Sequence, residues 1–524
     1  MVAAFLLALS GLAHAPGATI AIDARRGTPI SPYVYGVNYP DTWIYDWLAE
    51  WRAHGRGFTL AREGGNRFTA YNWETNASNA GADYFHENDD YLARSNEPGW
   101  SVRHFLRAVQ DRGAAALLTV PTLGYVAADK RTDLYGDKDV RATPDYLNAR
   151  FLRSYATKPG GRLAFPPDTT DRAVYQDEFV AWVQRAKSAR TPVFFSLDNE
   201  PDLWSATHAR IETAKTTYAR ILTNHIEYAA MIKRTAPGSL VFGPVNYGWG
   251  GMRDFQGAPD ANGRDFTDTY LDAMREAERK ERRRLVDVYD FHWYPESRGD
   301  GVRITFDDRP GTAATATARI QAPRSLWDPT FVEGTWITES LGNKAITMIP
   351  RLAAKIAAHY PGTRMAITEY DFGGRWSVSG MIAQADALGV FGRYGLFAAC
   401  QWGLTHEDAA AFAGFRAFTD FDRQGARFGD RGLAVAGESP AENSVYAALD
   451  SKDPRRLTIV AINKTSAPQP LRLTIGGFRA RSVRSFVVEE GAYDAPRPGD
   501  ARTRAEGIEL MVPPLAIVTS ELRR

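Results

Sequence analysis

The chain has very little cysteine: Cys400 is the only one among 524 residues. A single cysteine cannot form an intrachain disulfide, so the fold must be held by its hydrophobic core, which at this length can be sufficient. Cys400 lies in the apolar run FAACQW, and free cysteines in such runs usually behave as small core residues. We therefore expect a buried structural thiol rather than a nucleophile.

Neither sign of charge is in excess, and long apolar runs are missing as well. The chain carries 63 Lys and Arg against 62 Asp and Glu, a formal net charge of +1, which argues against a nucleic-acid-binding protein and an acidic tail protein. Beyond the N-terminus no stretch stays apolar for the roughly 20 residues that a transmembrane helix needs. A hydrophobic fraction of 44% and a charged fraction of 24% indicate a folded globular chain, not a disordered or collagen-like one.

The first 15 residues have the pattern of a secretion signal. An apolar run from Val2 to Ala13 ends in Ala13-His14-Ala15, an A-x-A cleavage pattern, and is too short to span a bilayer of roughly 30 Å. No Lys or Arg precedes the run, so a truncated start or a buried first strand is the alternative. The pattern predicts cleavage after Ala15 and a secreted protein, extracellular or periplasmic.

Eight short apolar runs alternate with amphipathic helical segments over most of the chain. Near-continuous apolar runs are what strands buried on both faces require, and eight of them separated by helices predict an α/β fold, the (β/α)8 TIM barrel. We place this catalytic barrel at 34–425. Its predicted strands are 34–38, 58–62, 114–120, 193–197, 240–245, 286–291, 365–368 and 396–402.

Helical segments stop after residue 425. Short alternating runs, separated by turn signals such as Gly476-Gly477, predict an all-β sandwich at 426–524. The segment 16–33 precedes the barrel, and its apolar residues 19–22 are expected to add a strand to this sandwich. The other predicted strands are 444–449, 457–463, 471–475, 482–489, 508–511 and 516–519.

Two glutamates follow apolar strands at positions where a barrel keeps its active site. Glu200 lies in SLDNEP after the fourth predicted strand, and Glu369 lies in ITEY at the end of the seventh. Barrel enzymes place their sites at the C-terminal ends of the strands, so both side chains should point into the mouth. Two carboxyls there suit retaining glycoside hydrolysis, in which one protonates the leaving oxygen and the other attacks the anomeric carbon. Their separation is then about 5–5.5 Å, against roughly 6.5–9.5 Å for inversion.

The segments around these glutamates are similar to those of one enzyme family. The sequence resembles glycoside hydrolase family 44, the endo-β-1,4-glucanases and xyloglucanases, over nearly the whole chain after the leader. Several of the resembling segments are long and rich in Trp, Asn and Gly, which chance does not explain. They are GGNRFTAYNWETNASNAG (64–81), FSLDNEPDLW (195–204), DFHWYPE (290–296), ARIQAPRSLWDP (318–329), YPGTRMAITEYDFGG (360–374), GMIAQADALGVFGRYGLFAA (380–399) and NSVYAALDS (443–451).

The resemblance implies a retaining mechanism on a barrel combined with a β-sandwich. The family carries its acid/base in the DNEP motif and its nucleophile in the ITEY motif, which assigns these roles to Glu200 and Glu369. It implies an endo-β-1,4-glucanase that hydrolyses β-glucans such as xyloglucan, carboxymethylcellulose and lichenan. The alternatives are a xylanase, a mannanase or a transglycosylase on the same barrel, since loops set specificity. An alternative of another class is a non-catalytic glycan-binding protein.

The two roles require opposite electrostatic surroundings. Glu200 must be protonated at rest, so burial or a neighbouring charge should raise its pKa, whereas Glu369 must be ionised and needs hydrogen-bond donors. Arg62 at the end of the second predicted strand and Tyr294 at the end of the sixth are candidate donors. His292 is a candidate donor to substrate or to a carboxylate, with a structural histidine as the alternative.

Several polar and aromatic residues are candidates for binding the sugar chain. Asn199 in the DNEP motif can hydrogen-bond a sugar 2-hydroxyl, and Asn66 follows two glycines that let backbone approach a ligand closely. Aromatic faces suit sugar rings. We expect one tryptophan under the sugar beside the scissile bond, one near the glycines and two in outer subsites, with packing as the alternative; these are, in that order, Trp402, Trp73, Trp327 and Trp336.

Three residues near the predicted site depart from the family pattern. Glu63 stands where an aromatic residue is usual, and it could perturb the site or point into the surroundings of its strand. Arg375 and Trp376 follow the nucleophile and could narrow or extend a subsite. None of the three removes a catalytic group.

The chemistry itself needs no metal, but the family resemblance makes a structural Ca²⁺ an expectation. Clustered carboxylates can bind calcium, and four acidic residues lie close in the sequence: Asp83, Glu87, Asp89 and Asp90. They lack EF-hand-like spacing, so we assign no ligands. We expect a monomer whose partner is a polysaccharide, β-1,4-glucan or xyloglucan, and neither a nucleic acid nor a membrane.

Overall fold

Eight parallel strands close into a barrel in the computed structural model, which describes residues 18–38, 57–134, 136–306, 309, 311–405 and 407–524. Neighbouring strands in the chain pair with each other, and the last strand pairs with the first. The TIM-barrel prediction is confirmed, and every predicted run overlaps a strand. The strands are β1 (Gly36–Asn38), β2 (Leu60–Glu63), β3 (Ala115–Val120), β4 (Val193–Leu197), β5 (Val241–Tyr247), β6 (Val288–Trp293), β7 (Arg364–Tyr370) and β8 (Ala398–Gln401). The predicted signal peptide lies outside the described residues.

Apolar side chains from all these strands but the shortest fill the inside of the barrel. A buried cluster there contains Leu60, Ala115, Leu117, Phe194, Phe242, Val288, Ala366, Ala398 and Cys400. The rings of Phe194 and Phe242 stack with centroids 5.8 Å apart. Cys400 is fully buried, and burial raises the pKa of its thiol. It is therefore the structural core thiol that the sequence predicts.

Helices flank the barrel and connect its strands from β2 onward. Their starts are fixed by capping side chains: Thr217 accepts a hydrogen bond from the Arg220 backbone N–H at 3.1 Å, and Asp265 accepts one from Asp268 at 3.0 Å. The longer helices are Trp100–Asp111, Gln176–Ala186, Tyr218–Thr235, Phe266–Glu281, Met348–His359, Val378–Arg393 and Ala409–Thr419. Within the described part of the chain, none of the helices has the length and apolar character needed to cross a membrane.

Short strands and helical turns lie in the segments that connect the barrel strands to the longer helices. A three-stranded sheet follows β3 (Tyr125–Ala127, Phe151–Tyr155, Ala173–Tyr175), and a small hairpin follows β6 (Arg298–Gly299, Val302–Arg303). A two-stranded ladder, Ser78–Asn79 with Asn88–Asp89, follows β2. Short helical turns are Pro32–Val34, Asn66–Thr69, Gly81–Asp83, Val140–Ala142, Tyr146–Ala149, Pro159–Gly161, Pro201–Leu203, Trp204–Thr207, Gly248–Asp254, Ala313–Gln321, Ala322–Leu326 and Trp336–Ser340.

A second compact unit combines Phe428–Arg524 with the described N-terminal residues 18–28, while the barrel unit is Pro29–Arg427. The ten strands of this second unit form one continuous, largely antiparallel sheet around an apolar core. This is the β-sandwich of the predicted fold class. The first strand lies parallel beside the fifth, with Ile20 opposite Leu473. The strands are Ala18–Pro29, Arg431–Ala436, Asn443–Leu449, Arg456–Asn463, Gln469–Gly476, Ser482–Val488, Arg497–Pro498, Ala501–Arg504, Gly507–Val512 and Ile517–Arg523.

Three strands of this unit escaped the sequence analysis: Arg431–Ala436, Arg497–Pro498 and Ala501–Arg504. Arg497–Pro498 and Ala501–Arg504 are short and polar and lie at the two ends of the sheet. Arg431–Ala436 buries only Leu433. An apolar alternation is too weak to detect where a strand buries so little of its surface.

Candidate active site

Glu200 reaches the barrel mouth through a tight turn after β4. Asp198 and Glu200 both have positive φ angles, 66° and 45°, a conformation that a non-glycine residue adopts only when its surroundings enforce it. The buried carboxylate of Asp198 stabilises this turn conformation through hydrogen bonds. It accepts hydrogen bonds from the Asn199 backbone N–H at 2.8 Å and from the hydroxyls of Thr69 and Thr122 at 2.7 and 3.1 Å.

The carboxyl of Glu200 lies in surroundings that favour its protonated form. Its side chain is 10% exposed, and burial raises its pKa to about 8; the Arg62 charge acts against this shift, and the Asp83 charge adds to it. Glu200 Oε1 and His292 Nδ1 share a hydrogen bond 2.7 Å long. Burial lowers the pKa of His292 to about 3, so the imidazole is neutral.

Glu369 lies on β7 and has the opposite surroundings. Its side chain is 6% exposed, and each carboxylate oxygen accepts a hydrogen bond: Oε1 from Arg62 Nη1 at 2.6 Å and Oε2 from the Tyr294 hydroxyl at 2.9 Å. Donors of this kind stabilise the ionised carboxylate. The structure thus brings both predicted donors, Arg62 and Tyr294, to the predicted nucleophile.

Arg62 ties four barrel strands together beneath the site. The guanidinium is fully buried. Besides Glu369 it donates to Asn38 Oδ1 at the end of β1, at 2.9 Å, and to Asn199 Oδ1 after β4, at 2.7 Å. Asn199 in turn donates to Asn66 Oδ1 at 3.3 Å. Both asparagines predicted to contact sugar therefore lie beside the catalytic pair, with their amides already oriented by this network.

The two carboxyls lie close together. One oxygen of Glu200, one oxygen of Glu369 and one ring nitrogen of His292 all fall within 4.8 Å of one another. His292 Nδ1 is 3.4 Å from Glu369 Oε2, so the neutral imidazole contacts both carboxyls. Among the described residues, no other three His, Cys, Asp or Glu side chains bring ligand atoms this close.

The predicted tryptophans occupy different places. Trp402 directly follows β8, and its ring lies over Gly65: a Cβ at that glycine would come within 2.7 Å of the indole. Gly65 therefore makes room for Trp402 at the mouth, and Gly64 makes room for the Arg62 guanidinium. Trp402 stays a candidate for the sugar beside the scissile bond. Trp336 is 45% exposed at the start of its short helix and stays a candidate for an outer subsite.

Two of the predicted tryptophan roles are wrong. Trp73 is 1% exposed and packs between Phe179 and Trp182 of one flanking helix, with ring centroids 5.9 and 6.0 Å away. Trp327 packs on Tyr394, 5.9 Å between centroids, at the C-terminal end of helix Val378–Arg393. That helix end lies at the opposite face of the barrel from the mouth, since the helices run back against the strands. Packing explains both residues.

The residues that depart from the family pattern leave the catalytic pair untouched. Glu63 points outward from β2 and accepts a hydrogen bond from Ser101 of helix Trp100–Asp111 at 3.1 Å. Arg375 is held between Asp371 at 3.6 Å and Asp408 at 3.4 Å. The Trp376 ring lies 4.3 Å from the Arg309 guanidinium.

Three residues near the pair were missed by the sequence analysis: Asn38, Tyr247 and Asp290. Asn38 and Tyr247 end β1 and β5, so the strand-end rule that found the glutamates applies to them as well. Asp290 lies inside β6 and accepts hydrogen bonds from the Thr368 hydroxyl at 2.7 Å and its N–H at 3.2 Å. No sequence signal distinguishes such a residue from an ordinary strand aspartate.

Three of the four acidic residues considered as calcium ligands form hydrogen bonds or ion pairs with other side chains. Asp83 accepts from Asn66 at 2.8 Å, and Asp89 accepts from the Ser78 hydroxyl at 2.7 Å and pairs with Arg67. Asp90 is about half exposed beside Arg94. These side chains do not converge on one point, so this cluster does not fit a calcium site.

The chain matches known proteins throughout its length. A model of glycoside hydrolase family 44 matches residues 77–297. The structure of a family 44 endoglucanase from Clostridium thermocellum is 33% identical, with 97% of this chain and 100% of that one covered and a TM-score of 0.87. A Paenibacillus polymyxa xyloglucanase of the same family, solved with xyloglucan, is 32% identical, with 97% and 99% covered and a TM-score of 0.87.

A curated relative is a much longer protein. The beta-mannanase/endoglucanase A of Caldicellulosiruptor saccharolyticus is 35% identical over 508 residues, which covers 88% of this chain but only 36% of that protein. The two structural neighbours, by contrast, align over almost their whole length at more than 30% identity. From this full-length likeness, the family match and the strand-end glutamates, we conclude that the chain belongs to glycoside hydrolase family 44.

Proposed function

We propose that this protein is a retaining endo-β-1,4-glucanase that hydrolyses β-glucans by double displacement. The observation that carries the proposal is the approach of the Glu200 and Glu369 carboxyls, with oxygens within 4.8 Å of each other. This is the close arrangement of retaining enzymes, with carboxyls about 5–5.5 Å apart; inverting enzymes need roughly 6.5–9.5 Å to fit a water between them.

In the first step Glu369 attacks the anomeric carbon while Glu200 protonates the departing glycosidic oxygen. Arg62 and Tyr294 hold Glu369 ionised and aimed, at 2.6 and 2.9 Å. Burial holds Glu200 protonated, since its pKa is raised to about 8. A glycosyl ester on Glu369 forms as the bond to the leaving chain breaks.

In the second step water replaces the leaving chain. Esterification removes the negative charge of Glu369, so Glu200 can ionise more easily and take a proton from the water that attacks the ester. The neutral His292 contacts both carboxyls without adding a charge. The anomeric configuration is thereby inverted twice and so retained.

The substrate class follows from the relatives. One neighbour is a xyloglucanase solved with xyloglucan, another is an endoglucanase, and a longer relative is named for mannanase and endoglucanase activity. We therefore propose xyloglucan and soluble β-1,4-glucans as substrates, and mannan as the second candidate. Trp402 beside Asn66 and Asn199 offers the aromatic face and amide donors that a glucan chain needs.

Reducing-sugar release from a polysaccharide panel tests this proposal. Xyloglucan, carboxymethylcellulose, lichenan, xylan and mannan are each incubated with wild-type protein, with Glu369→Ala as the blank. We expect release from the first three, a rapid fall in viscosity that marks internal cleavage, and no release by the variant. Activity confined to mannan or xylan would move the proposal to that polymer; binding without release on all five would favour a glycan-binding protein.

We further propose that the calcium ion expected from the family is held beside Glu74. Glu74 Oε1 is buried without a hydrogen-bond partner, and Glu178 Oε2 is likewise buried without one. Burial raises the pKa of Glu74 to about 8, and the charges of Asp171 and Glu178 add to the shift. Carboxylate oxygens that lack hydrogen-bond donors suit Ca²⁺, which would offset the repulsion between Glu74, Asp171 and Glu178.

Calcium removal should therefore destabilise the protein. At a calcium concentration 100-fold above Kd, binding contributes about 2.7 kcal/mol, which corresponds to a fall in Tm of about 3 °C for a chain of this size when EGTA is added. Glu74→Gln should lose this response, whereas Asp90→Asn, at a half-exposed aspartate, should keep it. A wild-type Tm that ignores both EGTA and added calcium would refute the site.

A further inference from the structure

The segment that follows β6 has no regular secondary structure, yet it carries a donor to the nucleophile. Residues 294–297 lie between the end of β6 and the strand Arg298–Gly299. Tyr294 is the first of them, and its hydroxyl donates to Glu369 Oε2 at 2.9 Å. An irregular segment has few backbone hydrogen bonds of its own, so side chains must fix its path.

The Arg303 side chain donates hydrogen bonds to the backbone of this irregular segment. Its Nη2 donates to the Tyr294 carbonyl at 2.6 Å and its Nε to the Pro295 carbonyl at 2.8 Å, and the guanidinium pairs with Glu296 at 3.1 Å. The side chain is mostly buried. Three consecutive residues after β6 are therefore held by one rigid, planar group, a geometry that lysine cannot reproduce.

Arg303 also reaches the aromatic neighbour of Tyr294. Burial raises the pKa of the Tyr247 hydroxyl, and Tyr247 lies close enough for the Arg303 charge to act against this shift. The Tyr247 ring stacks on the Tyr294 ring, 6.3 Å between centroids at 29°. The Tyr247 backbone N–H is in turn fixed by Asp202, two residues after Glu200, at 3.0 Å. Arg303 thus holds the backbone of Tyr294, while the Tyr247 ring packs against the Tyr294 side chain.

We propose that Arg303 is a positioning residue, which fixes Tyr294 so that its hydroxyl donates to Glu369. The inference rests on the proposed function of Glu369 as the nucleophile. Arg303 touches neither carboxyl and acts only through Tyr294. Losing the tyrosine donor would destabilise the ionised carboxylate, so the acidic limb of the kcat/KM profile would move to higher pH.

A double-mutant cycle between Arg303 and Tyr294 tests this. We expect Arg303→Lys to lower kcat on xyloglucan by about 10- to 100-fold, as small misplacements of catalytic groups do, with KM changed less than about twofold. Tyr294→Phe should have a similar effect, and Arg303→Lys should add little to it. The control is Arg298→Ala, an exposed arginine opposite Arg303 in the same hairpin, whose side chain donates only to Gly301; it should behave as wild type.

The pH dependence separates positioning from general support of the fold. The acidic limb should move upward in Arg303→Lys and in Tyr294→Phe by similar amounts, and not in Arg298→Ala. Other titratable groups around Glu369 stay in place in all three variants: Arg62, Glu200, Asp290, His292 and Cys400. Additive losses in the cycle, or an unmoved acidic limb in Arg303→Lys, would overturn the inference.

A spectroscopic measurement without turnover keeps this inference separate from the proposed function. The Glu369 side chain can be followed by ¹³C NMR in glutamate-labelled protein, with Glu369→Gln to identify its signal. A displaced Glu369 carboxylate signal in Arg303→Lys, matching that in Tyr294→Phe, supports positioning even if no tested polymer is hydrolysed. An unchanged signal beside normal wild-type hydrolysis rejects the positioning role and leaves the glucanase proposal standing.

Discussion

Glu369→Ala is expected to lower kcat on xyloglucan by roughly 10⁵-fold, the scale on which removing a covalent nucleophile acts. The residual cavity should admit a small anion, so sodium azide should restore part of the rate on an activated aryl β-glycoside. The restored reaction has a single displacement, so its product should be the α-glycosyl azide. Product configuration is read by ¹H NMR.

The side chains around Glu369 explain why azide should bind in the Glu369→Ala variant. Arg62 and Tyr294 remain in the variant and keep facing the vacated position, at which they normally donate over 2.6 and 2.9 Å. They form an anion site once the carboxylate is gone, and azide can occupy it. Glu339→Ala, at an exposed glutamate of the helix Trp336–Ser340, is the matched control and should retain full activity.

Two results would remove Glu369 from the nucleophile role. One is substantial turnover of xyloglucan by Glu369→Ala without azide. The other is azide rescue that yields only the β-glycosyl azide, because that product requires a second displacement on an intermediate that the variant cannot form. Loss of activity with a Tm far below that of Glu339→Ala would be tested again with Glu369→Gln, which keeps the side-chain volume.

The strand-end glutamates show why the position of the candidate catalytic pair could be predicted from sequence. A parallel barrel brings the C-terminal ends of all its strands to one face, so position along a strand is enough to place Glu200 and Glu369 together. The same argument places Arg62, the last residue but one of β2, and Tyr294, which directly follows β6. Short, near-continuous apolar runs separated by helical segments made the strands themselves predictable.

The sequence could not distinguish the tryptophans, because their surroundings come from distant parts of the chain. Trp73 packs on Phe179 and Trp182, more than a hundred positions away, and Trp327 packs on Tyr394. An exposed and a packed tryptophan look alike when the partner is remote. Arg303 and Asp290 were missed for a related reason: they act through carbonyls or hydroxyls of other residues and belong to no motif.

The second large effect is expected for Glu200→Ala, and it should depend on the leaving group. On xyloglucan, whose leaving sugar oxygen must be protonated, the rate of glycosylation should fall by about 10²–10⁴-fold, the usual contribution of a general acid. On a dinitrophenyl β-cellobioside, whose leaving group needs no proton, glycosylation should fall far less. Equal losses on both substrates would contradict the acid role.

The pH dependence of kcat/KM tests the acid role of Glu200 independently. Glu200 must be protonated for the first step and its pKa is raised to about 8 by burial, so wild-type kcat/KM on xyloglucan should fall as pH rises through about 8. The fall should be weak on the dinitrophenyl substrate and absent in Glu200→Ala. An alkaline limb that persists in the variant would belong to another group, such as Asp202, whose pKa is raised to about 7.

The products formed with azide distinguish the roles of the two glutamates more clearly than the size of either loss of activity does. In Glu200→Ala the glycosyl ester on Glu369 still forms from the activated substrate but lacks a base to activate water. Azide needs no base, so it should attack the ester and give the β-glycosyl azide, the opposite anomer from Glu369→Ala. Opposite anomers from two variants whose carboxyls lie within 4.8 Å in the wild type would assign the nucleophile and the acid/base in one experiment; the same anomer from both would reject the double displacement.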